Sequence, residues 1–509
     1  MRTGSPQHIT LVAAMAAACS TTFTPQPCAI DDDCGAGRVC ELIADAPACV
    51  AAEDAPIVIG QSAPFTGGSQ ALGVGMRQGI ELALDEANAA GGVRGRPIQL
   101  VFRDDGYDPL QAEANARRLV DAQPGPATPR CPTTATPVSN GAVPPALVPV
   151  STTGLVRGDD AVLALVGSVG TPTMVRAAPV AIETGTIYFG AFTGAAALLR
   201  DDSAGPCKRF VFNVRASYAQ EAHATVEYFL NRGITDYRRL LSFDQNDTFG
   251  NAGYSGLVAA WIDERGAFPA DADPTTPIAR FRYARNDVDS VPAQAMAAEG
   301  YLAGLLTTFP TGTLRVGVML TSTYGPAATF IEHLRRWQFD GQQATLGKAT
   351  RLELFFSNVS FVGPDALAAA LVDAGTVATP GGPVPFTQGV AVSQVVPNYQ
   401  SDLGDGVRAY QAAVAAAGEA PGFTSLEGYL ATRVFVAGLL HHRGPFTPAG
   451  LIDTFETLPD VGLGLGASAG FARDRHQYLQ SVWGTTIGPD GRFANLYYWT
   501  VGSPIQFFQ

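Results

Sequence analysis

Residues 59–120 read IGQSAPFTGGSQALGVGMRQGIELALDEANAAGGVRGRPIQLVFRDDGYDPLQAEANARRLV. The apolar run Ile57-Val58-Ile59-Gly60 that leads in is short and bounded by turn residues, the pattern of a buried strand. Pro64, Thr66, Gly67 and Gly68 then make a loop. From Gly73 the apolar side chains fall at Met76, Ile80, Leu84 and Ala87, steps of four and three that place them on one helical face. Ala90-Gly91-Gly92 stops that helix. A second strand is expected over 98–102, closed by Asp104, Asp105 and Gly106, and a second helix over 112–120 turns Ala116, Leu119 and Val120 inward. Strand, helix, strand, helix with short polar joints specifies a parallel α/β sheet.

The alternation continues beyond a break. Residues 123–150 are rich in Pro, Thr and Gly and read as a surface insertion. Past it come a strand over 162–167, a helix over 173–183 and a strand over 187–189. A further series starts at Arg209: strand 210–214, helix 218–231, strand 238–243 and helix 254–265. Residues 273–291 show no period and read as a second insertion. Strand 316–320, helix 327–337 and strand 353–357 follow, and a long helix over 423–441 carries Leu426, Leu430, Val434 and Ala437 on one face. Two such series argue for two similar lobes. In open parallel sheets ligands bind outside the carboxyl ends of strands, near helix N-termini. The site is therefore expected in the loops that follow strands and are rich in Gly, Ser and Thr.

With 509 residues the chain can build two cores plus appendages. Its net charge of −13 repels phosphate backbones, which argues against nucleic acid as a partner. No apolar run reaches the roughly 18 residues of a membrane-spanning helix, so any membrane contact is expected through a lipid anchor alone. Arg2 followed by the apolar stretch 9–18 reads as a signal peptide over 1–18. Ala16-Ala17-Ala18 before Cys19 resembles a bacterial lipobox, which makes Cys19 the expected lipidated N-terminus; secretion without lipid is the alternative. Either way the protein is expected outside the cytoplasm, as a periplasmic lipoprotein on the first reading.

Seven cysteines are present. With Cys19 lipidated six remain, an even number suited to an oxidising compartment. Cys28, Cys34, Cys40 and Cys49 crowd into a stretch too short to build its own core, so two disulfides are expected there, with their connectivity open. A metal knuckle is the alternative, and it fits poorly because the spacings are long and no His is near. Cys131 and Cys207 are left to pair with each other. Residues 19–54 thus form an anchored, Cys-rich segment and linker.

The stretch 59–120 resembles the opening of the branched-chain amino acid (Leu/Ile/Val) binding proteins of bacterial ABC importers. The later segments LALVGSVGTPT (163–173), YFGAFTGAAALLR (188–200), FDQNDTFGNAGYSGL (243–257), GVAVSQVVPNY (389–399) and FTSLEGYLATRVFVAGL (423–439) agree with it. The resemblance implies a type I periplasmic-binding fold: two Rossmann-like α/β lobes with parallel sheets, joined by a three-crossing hinge. Lobe 1 would hold 55–206 plus 390–464 and lobe 2 would hold 207–389 plus 465–509, with crossings near Cys207, Gly389 and Leu465. It also implies that Val169, Thr171, Ala191, Phe192 and Thr193 hold a ligand carboxylate through N–H groups and hydroxyls. Hydroxyls and free N–H groups at helix starts do suit an anion. For Thr171 alone, simple helix capping is an equal alternative. Phe249 and Tyr324 are the aromatic candidates of the second lobe. Where family members carry an acidic residue for the ligand's amine, this chain has Ser357-Asn358-Val359-Ser360, without a carboxylate; Asp244 and Asp247 are the carboxylates that could substitute.

The expected function is then an extracytoplasmic lipoprotein that binds a small polar solute (amino acid, amide or carboxylate) and delivers it to an ABC permease, with no cofactor or metal. A ligand-gated sensor, or a lipoprotein regulator of a membrane or cell-wall protein, is the alternative. Catalysis is not expected. Gly466-Ala467-Ser468-Ala469-Gly470 matches a nucleophile elbow, but glycines replace the strand it needs before it and a loop follows. With six His and no HExxH, a zinc hydrolase lacks its parts.

Overall fold

The computed structural model describes residues 26–43, 46–125, 154–195, 208–341, 344–402, 404–465 and 469–508. Cys19, Cys131, Cys207 and Ser468 lie outside them, as does most of the insertion expected over 123–150. The chain enters through a small module. Strands β1 (Arg38–Ile43) and β2 (Ala46–Ala51) form an antiparallel hairpin with Cys40 opposite Cys49. Cys28 bonds Cys40 and Cys34 bonds Cys49, with Cα separations of 5.7 and 5.6 Å. All four thiols are thereby consumed, which removes the metal-knuckle alternative. The module docks on the next domain: Arg94 pairs with Asp31, Arg96 pairs with Glu41, and both guanidiniums lie over the Phe446 ring.

The first sheet is built from β3 (Ile57–Ala63), β4 (Ile98–Asp104), β7 (Ala164–Val166), β8 (Ile187–Phe189) and β9 (Val211–Phe212). A short hairpin, β5 (Gln123–Pro124) with β6 (Leu155–Val156), lies beside it. The order is β4-β3-β7-β8-β9 and every pair is parallel. Helices α1 (Gln70–Ala89), α2 (Pro109–Leu119) and α3 (Thr171–Thr184) connect these strands. Helix α1 lies against α11 (Phe423–His441), far along the chain, and the approach depends on glycine. A Cβ on Gly79 would stand 1.9 Å from the Ser425 carbonyl oxygen, and one on Gly428 would stand 2.5 Å from that of Met76.

The second sheet runs β11-β10-β12-β13-β16-β17-β18-β19. Its parallel part comprises β10 (Leu240–Gln245), β11 (Ala279–Tyr283), β12 (Leu314–Thr321), β13 (Leu352–Asn358) and β16 (Val390–Gln394). Helices α4 (Tyr218–Asn231), α5 (Thr248–Arg265), α6 (Val291–Thr308), α7 (Tyr324–Phe339), α8 (Lys348–Arg351) and α9 (Pro364–Ala374) accompany it. The minor hairpin β14 (Thr376–Val377) with β15 (Val384–Pro385) precedes β16. Helices α10 (Asp405–Ala417), α11 and α12 (Pro448–Glu456) follow β16. The chain then returns to add three antiparallel strands, β17 (Ser481–Ile487), β18 (Phe493–Thr500) and β19 (Ser503–Phe507).

Two expectations are corrected here. Residues 273–291 are not wholly an insertion: Ala279–Tyr283 is an edge strand that points Phe281 and Tyr283 into the core while Arg280 and Arg282 bind Asp244. Helix α5 begins at Thr248, six residues before the expected 254, because the Asp247 carboxylate accepts from the Phe249 N–H and caps it.

Both sheets share one topological feature. In the first, the chain moves outward from β3 to β4 and then crosses to the other flank of β3 at β7. In the second it moves from β10 to β11 and then crosses to β12. Each reversal leaves a crevice at the carboxyl ends of two neighbouring strands, the place where such sheets bind ligands.

Candidate functional site

The first crevice is lined by the loops after β7 and β8. Gly170, with φ of 104°, caps α3, and a Cβ there would lie 2.4 Å from the Tyr107 ring. The loops zip together: Gly170 N–H donates to the Phe192 carbonyl at 3.1 Å and Phe192 N–H to the Ser168 carbonyl at 2.8 Å. Val169 N–H donates to Ser62 at 3.2 Å, and Thr193 N–H to Ala191 at 2.8 Å. Val169, Thr171, Ala191, Phe192 and Thr193 are all buried and all meet in this one place. Gly170 is the cap of α3, so Thr171 is its first residue and not a cap; the Thr171 hydroxyl instead meets that of Thr193 at 2.7 Å. The N–H groups of Val169, Phe192 and Thr193 bond within the protein, and the Thr193 hydroxyl also accepts from the Ala195 N–H at 3.3 Å. Beside it, Asp105 accepts from the Ser62 hydroxyl at 2.7 Å and the Tyr107 N–H at 2.9 Å. Burial pushes its carboxyl up to about 7, against the pull of those two donors.

The second crevice faces the first. Phe249, fully buried at the start of α5, lies 5.3 Å from the Tyr218 ring and 4.7 Å from the Phe361 ring. Phe361 also reaches Phe192 at 5.0 Å and Tyr107 at 6.1 Å, so one ring from the second sheet's side is held among rings of both. Gln245 Nε2 donates to the Tyr107 hydroxyl at 3.4 Å and Asn286 Nδ2 to the Gly106 carbonyl at 3.3 Å, further ties across the cleft. Tyr324 is not part of this ring cluster. It begins α7 and reaches the start of α1, with its phenol beside the Ala71 N–H. Asp244 is committed to Arg280, Arg282 and Ser242, so it is not available to a ligand amine. Asp247 caps α5 and holds Gln245 and Arg285; burial raises its pKa, and Arg285 opposes the rise.

Sequence reading missed a buried charge cluster beside the cleft. Arg215 contacts Glu221 at 3.0 Å, Glu427 at 3.4 Å and the Ser360 hydroxyl. Glu221 also accepts from the Ser360 N–H at 2.7 Å, the Ser360 hydroxyl at 3.0 Å and the Ser393 hydroxyl at 2.6 Å. The Arg215 guanidinium lies 5.1 Å from the Phe192 ring centre and 5.6 Å from that of Tyr218. Burial works against its charge, yet Glu427 and Glu221 outweigh burial and hold its pKa above the ordinary value. The available signal was a charged residue inside an apolar run, such as Glu427 within α11.

Two α/β domains whose switch-point loops face one another define the two-lobed architecture of the type I periplasmic-binding fold. The periplasmic binding protein family model matches residues 56–159 and 354–492. A solved structure of a possible leucine/isoleucine/valine-binding protein from Rhodopirellula baltica SH 1 is 30% identical, covers 88% of this chain and 98% of its own, and superposes with a TM-score of 0.65. The chain belongs to the periplasmic binding protein family. Among curated relatives, the Leu/Ile/Val-binding protein homolog 2 of Brucella abortus (strain 2308) is 44% identical over 66 residues. That match takes in 13% of this chain and only 18% of the relative's length. A branched chain amino acid ABC transporter structure from Thermus thermophilus, with bound valine, covers 88% of this chain and 97% of its own at a TM-score of 0.60. At 14% identity it supports the fold alone.

Proposed function

We propose that this protein is an extracytoplasmic receptor that closes two lobes over a small solute and delivers it to an ABC importer. Residues 55–206 with 390–464 and residues 207–389 with 465–509 are the proposed lobes, in outline. Two of their joints fall beside strands that belong to the neighbouring sheet, since Val211–Phe212 pairs in the first and Val390–Gln394 in the second. Cys19 is the proposed lipid anchor. Among the described residues no helix is long and apolar enough to cross a membrane, so the lipid is the proposed means of attachment. The observation that carries this reading is the meeting of Val169, Thr171, Ala191, Phe192 and Thr193 with Phe249 across the two switch points. Tyr324 is proposed to act at the rim, where it ties the lobes together.

The test is a thermal-shift screen of the purified chain against amino acids, amides, carboxylates, sugars and polyols. A solute at a hundredfold excess over its Kd adds about 2.7 kcal/mol of stability. The shift is expected to disappear in Thr171→Val/Thr193→Val. A panel that moves nothing at millimolar concentration would defeat the reading. The docked, disulfide-held module favours a second reading, in which the closed form is presented to a protein partner as a sensor or regulator. Partner capture that depends on the module, with no solute bound, would decide for it.

A further inference from the structure

We propose that His476 is held as an imidazolium where the chain passes between the lobes, and that losing this proton as pH rises loosens the joint. This deepens the receptor reading, since it rests on the lobes moving about their crossings. Two segments run side by side at this place. One leads from β9 to α4, which packs on the second sheet, and the other leads from α12 to β17 within that sheet. Their backbones bond to each other. The Asn213 N–H donates to the His476 carbonyl at 2.8 Å, the Tyr478 N–H to the Asn213 carbonyl at 2.8 Å and the Leu479 N–H to the Val214 carbonyl at 2.9 Å.

The His476 side chain is fully buried at this junction, and each ring nitrogen faces an acceptor. Nδ1 lies 3.1 Å from the Val211 carbonyl oxygen of β9, and Nε2 lies 3.1 Å from Glu456 Oε1 of α12. A carbonyl oxygen has no proton to give, so Nδ1 carries one. Arg209 meets Glu456 through two bonds, Nε to Oε1 and Nη2 to Oε2, each at 2.7 Å, a pairing made with an ionised carboxylate. Nε2 therefore needs a proton as well, and a ring with both is a cation. Asp453 is the second carboxylate on Arg209, at 2.8 Å, so these four groups balance two positive charges with two negative ones. β9 adds the Phe212 ring, stacked on the imidazole at 4.0 Å and 13°, a placement that favours a cation. His442 is the contrasting case. Its Nδ1 meets the Thr454 hydroxyl at 2.8 Å and its Nε2 the Pro445 carbonyl at 3.1 Å, which a neutral ring satisfies, and burial lowers its pKa. Loss of the proton from His476 sets a ring lone pair against the Glu456 carboxylate or the Val211 carbonyl, out of reach of water. The segment 476–479 is then held less firmly on β9 and α12.

Heteronuclear NMR of the full chain labelled at histidine, with no solute added, reads the ring directly, and His476→Gln assigns it among the six histidines. At about pH 6 both His476 nitrogens are expected to carry protons. A neutral ring at that pH overturns the proposal. Hydrogen exchange reads the joint. After correction for the intrinsic pH dependence of exchange, protection of the Asn213, Tyr478 and Leu479 amides should fall about tenfold or more from about pH 6 to about pH 9, while β10 and β12 keep theirs. In Glu456→Gln the side-chain amide can donate to a neutral ring, so the fall should shrink. His476→Gln, which has no titrating ring, gives the same comparison should that variant fail to fold. Protection that does not fall in the wild type, or falls equally in the variants, overturns the role of the proton. Neither measurement uses a solute, so failure here leaves the receptor reading standing, and an empty thermal-shift screen defeats that reading without touching the state of His476.

Discussion

Glu221→Gln is expected to weaken the second lobe, and through Arg215 its contact with Glu427 of α11, more than any exposed charge change could. Four donors converge on this carboxylate: Arg215 Nη2 at 3.0 Å, the Ser360 N–H at 2.7 Å, the Ser360 hydroxyl at 3.0 Å and the Ser393 hydroxyl at 2.6 Å. Glutamine keeps the shape but offers one acceptor oxygen, and its NH2 group would face donors. Arg215 then stays buried with Glu427 as its remaining carboxylate partner. Breaking a buried pair from one side costs about 3–5 kcal/mol. At about 2–4 °C per kcal/mol for a unit of 150–250 residues, the melting temperature should fall by roughly 6–20 °C. Ser393→Ala removes one hydrogen bond to a charged group, about 1.5–3 kcal/mol, and should rank below it. Urea unfolding followed by both tryptophan fluorescence and far-UV circular dichroism is the assay. Trp261, Trp337, Trp483 and Trp499 all lie in the eight-stranded sheet or its helices, so fluorescence reports that lobe while dichroism reports both. The two transitions should separate in Glu221→Gln. A loss under about 1 kcal/mol, the worth of an exposed pair, with coincident transitions, would refute the idea that this cluster holds the second lobe.

Gly79→Ala should destabilise by about 1–3 kcal/mol or more, because the new methyl meets the Ser425 carbonyl; Gly300→Ala, on an exposed face of α6 with open space around it, should stabilise by up to about 1 kcal/mol. Paired thermal melts check that the two signs are opposite. Asp105 is protonated more readily folded than unfolded, so its contribution to stability is full below about pH 4 and is lost as pH rises toward about 7. Stability measured against pH should fall across that window in the wild type and less in Asp105→Asn. Cys34→Ser opens a bridge spanning 15 residues, worth about 3 kcal/mol to the module. Limited proteolysis should then cut within 26–54 while the lobes keep their melting temperature.

Much of the fold was legible because it is local. The strand at 57–63, the helix at 70–89 and the turns between them carry their own periodicity and their own glycines. Helix α6 escaped notice because VPAQAMAAEGYLAGLL has small or apolar residues on nearly every face, leaving no helical period to see. The edge strand Ala279–Tyr283 alternates arginine with aromatic residues, which reads as polar until Asp244 is found to hold both arginines. The C-terminal strands depend on partners from elsewhere in the chain, and short runs do not announce such partners. The first-lobe loops could be read because glycines and threonines follow strands there. The charge cluster could not, since Ser360 and Ser393 stand 139 and 172 residues from Glu221. Phe361 gave no sign at all; a single phenylalanine becomes the centre of a cage only once both sheets are in place.

The neutrality of the 357–360 loop follows from that cluster. Ser360 donates both its N–H and its hydroxyl to Glu221, and Arg215 already balances two glutamates with one positive charge. A carboxylate placed at Ser360 would lose the hydroxyl donor and set a third negative charge against a single buried guanidinium. Buried like charges without a partner raise each other's pKa and cost several kcal/mol. The loop can carry an acidic residue, or it can hold Glu221 beside Arg215; doing both would call for another cation. This chain holds Glu221 at the loop, and with it Arg215, which reaches Glu427 of α11 and lies 5.1 Å from the Phe192 ring centre.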